Sequence, residues 1–186
     1  MFRKLLLAVA IVPIAAHGAV MNECEDVRCG APPHASTITV DGDFAAGDAD
    51  YFRKMLRLTS RNNPIIVIFD HNHGGLLKEG IDIGTAIREA QANTVVTNYC
   101  YSACALAWLG GVSKGIGPGA QIGFHAAYNI DTNQVAAPAN AVIGYYIARM
   151  GLSLDVAAWA TSAAPDQINL MTPAIAKQLH VSIVTG

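Results

Sequence analysis

The sequence predicts an α/β domain built on a mostly parallel sheet and closed by a C-terminal helical part. The apolar, β-branched runs Ile65–Phe69 and Thr94–Thr97 each read as a buried strand. Each run leads through a turn into helical spacing. After the first, Ile83, Ile87 and Ala90 share one face of a helix running roughly from Gly80 to Ala92; after the second comes an Ala/Leu-rich segment from Ala103. Strand, helix, strand, helix in this order implies a right-handed crossover between parallel strands, which brings both strand-to-helix turns to the same sheet edge.

Before the domain, Phe2-Arg3-Lys4 is a short basic region and Leu5–Ala16 an apolar run too short to cross a bilayer, with Ala16-His17-Gly18 offering small residues at a cleavage point. Residues 1–18 are therefore expected to be a signal peptide, and the protein to be secreted or periplasmic. The rival reading, an uncleaved anchor, is weakened by the shortness of the run and by Pro13. Residues 19–35 form a lead segment with Cys24, Cys29 and a Pro-rich linker at Ala31-Pro32-Pro33-His34; residues 36–186 form the domain. Past His125, residues 129–138 look irregular, helices are expected at about 139–150 and 153–162, and Trp159 is expected to fill the core with Tyr145 and Tyr146 nearby.

Loss of residues 1–18 leaves 168 of 186 residues, enough for one sizeable core. It lowers the basic residues from 12 to 10 against 14 acidic ones, a formal charge of −4. That balance provides no footprint for nucleic acid, and no later segment is apolar and long enough for stable membrane insertion. Gly115-Ile116-Gly117-Pro118-Gly119 follows a helix and lacks Lys-Ser/Thr, so it is a connecting loop, not a phosphate cradle.

Ser102 lies at the mouth of the Ala103 helix, where free N–H groups and the helix dipole favour an oxyanion. The bland alternative is that it serves only as an N-cap. Gly74 and Gly75 end the other turn; without side chains, their N–H groups can approach a carbonyl held over Ser102, with Ala103 N–H as a further donor. His125 follows on the next strand.

This combination resembles the proteolytic subunit of the Clp protease, and more broadly the Clp-protease/crotonase fold of repeated ββα units that also includes bacterial signal peptide peptidases. The resemblance runs from about Ser36 to Val184. Thr37–Gly42 looks like the opening strand, and Asp48–Arg61 like the first helix, with Phe52, Met55, Leu56 and Leu58 as its apolar positions. His73-Gly74-Gly75 matches the oxyanion turn, Ser102 the nucleophile, Ile122–His125 the strand of the general base, and Met171–Leu179 the closing segment. The family's triad aspartate falls on Ile168. Asp166 and Asn169 flank it, so the resemblance implies Asp166 as the orienting acid after a local shift, Asn169 as a neutral substitute, or a Ser–His dyad. Cys100 and Cys104 bracket Ser102 in a way more like secreted bacterial relatives of the fold. The family's helical part packs between subunits, which implies a possible homo-oligomer.

Four cysteines in an exported chain point to disulfides, and the spacings favour Cys24–Cys29 and Cys100–Cys104 among the three possible pairings. Cys104 is a poor rival nucleophile because it lies inside the helix. His71 and His73, alternating with Asn72, would form a metal set with His125, but no third ligand has diagnostic spacing and no metal is expected. His180 is expected to be solvated. The reading is an exported serine hydrolase acting on a peptide or other acyl substrate without a cofactor, with Ser102, His125 and Asp166 as catalytic residues and Gly74, Gly75 and Ala103 around the oxyanion. The rivals are a silent binding or assembly module and an acyl-CoA enzyme of the crotonase type.

Overall fold

The structure, a computed structural model, describes residues 18–24, 35–59 and 63–185. The body of the signal segment, Cys29 and the Pro-rich linker lie outside the described residues.

Five strands make the frame: β1 (Val20–Cys24), β2 (Ser36–Asp41), β3 (Ile65–Asn72), β4 (Asn93–Tyr101) and β5 (Lys114–Ile116) stand side by side in that order. β1 pairs antiparallel with β2, so the lead segment contributes an edge strand. The pairs β2–β3, β3–β4 and β4–β5 are parallel, as the crossovers between them require. Those crossovers carry α1 (Asp48–Leu58), α2 (Leu77–Glu89) and α3 (Ala103–Leu109).

α1 is amphipathic, burying Phe52, Met55 and Leu56 and leaving Leu58 exposed. α3 is buried along its whole length, Trp108 included. Its indole Nε1–H donates to the Gly115 carbonyl, satisfying the one polar group of that ring. α2 and α3 touch backbone to backbone: a Cβ on Gly80 would stand 2.3 Å from the Ala103 carbonyl oxygen. Fully buried side chains such as Phe52, Phe69 and Ile83 each contribute about 1.5–3 kcal/mol relative to exposure.

β4 changes partners along its length. Thr94–Val96 pair with β5, whereas Tyr99–Tyr101 pair with β6 (Gln121–Phe124), also parallel. Between the two halves the β3–β4 register slips, with Asp70 facing both Thr97 and Asn98. The passage expected to be irregular contains a small hairpin, β7 (Tyr128–Asn129) with β8 (Gln134–Val135). α4 (Ala137–Arg149) and α5 (Leu154–Ala160) make the helical part. Tyr146 is buried and donates to the Leu106 carbonyl, Trp159 packs half-buried on Phe124, and Tyr145 is exposed.

β9 (Asn169–Leu170) returns antiparallel to β6, α6 (Pro173–Gln178) is capped by Thr172 Oγ1 accepting the Ile175 N–H, and β10 (Val184–Thr185) closes against β5. His180 is exposed, as expected. None of the described helices is long and apolar enough to cross a membrane.

Candidate active site

Ser102 stands where β4 ends and α3 begins, with φ 55° and ψ −122°. Such a conformation costs a non-glycine residue about 1–3 kcal/mol and persists only where the surroundings fix it. Here they do: the Ser102 N–H donates to the Gly123 carbonyl at 2.8 Å, and the Leu106 N–H to the Ser102 carbonyl at 3.2 Å. A Cys100–Cys104 disulfide spans the turn, with Cα atoms 5.2 Å apart. Cys104 is thereby excluded as a nucleophile. The Ser102 hydroxyl makes no capping bond to α3, so its position is not explained by helix capping.

The other turn is shaped by Asn72. Gly74 and Gly75 both have positive φ, 107° and 103°, and a Cβ on Gly74 would stand 2.6 Å from Ser102 Cβ. Asn72 is fully buried and its Oδ1 accepts the Gly74 N–H at 2.7 Å. Gly74 is therefore corrected out of the oxyanion donors, since its N–H is already engaged. Among the described residues no acceptor is assigned to the N–H groups of Gly75 and Ala103, which leaves this pair for an incoming oxyanion. Phe44 clamps the turn from outside: its N–H donates to the Gly74 carbonyl at 2.6 Å, and its carbonyl accepts from Leu76 N–H at 3.1 Å.

Ser102, Gly75, Ala103, His125 and His73 line one pocket of about 290 Å³. β3 and β6 flank the carboxyl end of β4, so His73 and His125 reach the pocket from opposite sides of Ser102. The half-buried His125 ring has Nδ1 2.8 Å from the Ala126 carbonyl and packs on Tyr128. No hydrogen bond joins it to Ser102 Oγ.

Asp166 does not reach His125. It is exposed, in a turn closed by the Gln167 N–H bonding to the Ala164 carbonyl at 2.9 Å. Asn169 does not reach the ring either: its amide donates to the Trp159 carbonyl and to Ser162 Oγ, both at 2.8 Å. The cause is register. Gly123 faces Leu170 and Phe124 faces Asn169, so one further step sets Ile168 opposite His125. An apolar side chain holds the acid's place.

The histidines weighed as a rival metal set separate. His73 pairs with Asp43, Nδ1 to Oδ1 at 3.3 Å, and Asp43 Oδ1 also accepts the His73 N–H at 2.6 Å. His71 Nδ1 faces Asp70 at 3.0 Å and Asp41 at 3.6 Å, away from His125. Sequence reasoning passed over Asp43, although the paired spacings Asp41-x-Asp43 and His71-x-His73, running off the ends of neighbouring parallel strands, were the available signal.

The two strand-end turns, the crossing helices and the projecting helical part are the architecture of the Clp-type proteases, and the chain has that fold. It superposes on 1510-N, a membrane-bound stomatin-specific protease solved as a serine-to-alanine mutant, with a TM-score of 0.60 and 18% identity over 82% of this chain and 77% of that one. ClpP1 from Listeria monocytogenes gives a TM-score of 0.60 and 19% identity over 81% of this chain and 91% of its own. A mutant of the same ClpP1 gives 0.59 and 16%. No protein-family model and no curated protein matches the sequence.

Proposed function

We propose that the protein is an exported serine hydrolase acting on peptide or related acyl bonds. One observation carries this reading: a serine in a strained turn, free of capping duty, faces two unengaged N–H groups and shares a pocket with an imidazole.

With its proton on Nδ1 donated to the Ala126 carbonyl, His125 keeps a lone pair on Nε2. Ser102 Oγ–H passes its proton to Nε2 as the Oγ–carbon bond forms, and the N–H groups of Gly75 and Ala103 hold the oxyanion. The leaving group departs with that proton, and water returns the enzyme to its starting state. In this scheme a backbone carbonyl orients the ring where a triad uses an aspartate. Self-association belongs to the same reading, since Tyr145 on α4 and Leu154 on α5 expose large apolar side chains an oligomer would cover.

The test is a fluorophosphonate probe on the mature protein with the adduct mapped by mass spectrometry. Labelling at Ser102, lost in folded Ser102→Ala and in His125→Ala, is expected. Intact folded protein that does not label between neutral and mildly alkaline pH favours the second reading, a silent binding module, for which the lack of a carboxylate bonded to His125 among the described residues is the specific support.

A further inference from the structure

Asp48 opens α1 with a fully buried carboxylate whose Oδ2 accepts two backbone N–H groups, Ala45 at 2.8 Å and Ala19 at 3.1 Å. Ala19 is itself buried, and it is the residue that follows the Ala16-His17-Gly18 cleavage point. Gly18 packs so closely on the 43–45 segment that a Cβ there would stand 2.5 Å from both the Asp43 carbonyl oxygen and Ala45 Cβ.

We infer that processing between Gly18 and Ala19 converts the Ala19 nitrogen from an amide into an ammonium held by Asp48, and that this buried pair locks the loop behind the oxyanion turn. Water adds across the Gly18–Ala19 peptide bond; Gly18 leaves as the new carboxylate, and the Ala19 nitrogen takes up the protons that make it a cation. The donor stays where it is while its charge changes. A charged donor on a carboxylate bonds about twice as strongly as a neutral one. Because the carboxylate is already buried by the fold, the added penalty is desolvation of the ammonium, and the negative charge of Asp48 in direct contact opposes it.

The link to the site is short. Asp48 fixes the Ala45 N–H, and the preceding residue, Phe44, is bonded on both sides to the glycine turn through Gly74 O and Leu76 N. Asp43, one residue further back, accepts the His73 N–H at 2.6 Å. Tightening residues 43–45 therefore sets the direction of the Gly75 N–H towards Ser102.

The cleavage rests on the exported reading and the labelling readout on the hydrolase reading, so the experiment separates them. Protein recovered from the periplasm of an expressing bacterium is sequenced from its N-terminus; Ala19 is expected, and any other start overturns the inference. Mature protein beginning at Ala19 is then compared with a form extended by Gly-Ser and with an Nα-acetylated form of native length. Both altered forms are expected to melt a few degrees lower and to label at Ser102 about tenfold more slowly, as befits one lost charged contact. In an Asp48→Asn background the differences should vanish; should that variant not fold, the acetylated form alone decides. Equal melting and labelling of all three forms overturns the inference, as does a deficit that persists in folded Asp48→Asn. If no form labels, the hydrolase reading fails; the melting comparison then decides the ion pair, and the link to the site falls.

Discussion

Asn72 Oδ1 accepts the Gly74 N–H at 2.7 Å, and this bond decides which amide of the glycine turn is left for a substrate. Asn72 Nδ2 is buried without a hydrogen-bond partner among the described residues, so the side chain is kept for its oxygen. Replacing it with an apolar residue frees the Gly74 N–H and lets the turn rotate. Asn72→Leu is expected to label with fluorophosphonate about a hundredfold more slowly, the scale of one lost oxyanion donor. Asn72→Ser, whose hydroxyl accepts in the same local pattern, should recover most of that rate. Equal labelling by wild type and Asn72→Leu would remove Asn72 from the site.

The residues flanking Ile168 make a second prediction. Since Asp166 is exposed and its carboxylate has no hydrogen-bond partner among the described residues, Asp166→Ala should label at the wild-type rate. Asn169→Ala loses two hydrogen bonds to the α5 end, so it should lower the melting temperature while sparing the rate constant. Ile168→Asp places a carboxylate opposite His125 and is expected to raise the rate tenfold or more, well inside the roughly 10⁴ that a correctly held tautomer is worth in a triad. A rate collapse in Asp166→Ala contradicts this assignment.

Removing the Cys100–Cys104 bridge tests what holds the serine turn. For so short a loop the chain-entropy estimate is about 2 kcal/mol, read as a lower urea midpoint in Cys100→Ala/Cys104→Ala. Because the bridge spans a strained residue, labelling should slow as well. Unchanged stability and unchanged labelling together would show the turn to be self-sufficient. Peptide mapping of the wild type is expected to find these two cysteines joined.

Lys114 gives a pH signature away from the site. Its ammonium is buried and donates to the Gly111 carbonyl at 2.9 Å. Burial first, and then the Arg88 charge, pulls its pKa from 10.5 to about 8. The folded protein thus holds fewer protons than the unfolded chain between those values, so stability rises with pH across that window and is lost as pH falls through about 8. Denaturant titrations from pH 8 to 10 should show this rise in wild type and a flatter profile in Lys114→Met. Parallel profiles would mean that the amine is solvated.

How much of this was legible follows from what each signal measures. Periodicity reports burial, so the Ile65 and Thr94 runs located β3 and β4, and the glycines and Ser102 marked their ends. Bond partners are not periodic. Nothing in the spacing told that Gly74 would donate to Asn72, although an Asn two residues ahead of a glycine is a turn signal. The preference for Asp166 assumed a loop able to slip by two residues; instead β9 pairs with β6 in a fixed register, and the slip is unavailable. β1 escaped notice because Val20–Cys24 is short, polar at two positions and stabilised only by its neighbour.

The partner exchange along β4 marks where the hollow lies. One edge of this strand is shared end to end by two others, β5 for its first half and β6 for its second, while β3 covers the opposite edge throughout. Two neighbours laid in tandem on one edge make a switch in pairing along it, and the pocket lined by Ser102 and His125 lies beyond the strand's carboxyl end on that side. The scaffold therefore has two parts of different duty. Thr94–Val96 are held between β3 and β5, whereas Tyr99–Tyr101 are held between β3 and β6, whose buried Ile122 and Phe124 anchor in the core the strand that leads into His125.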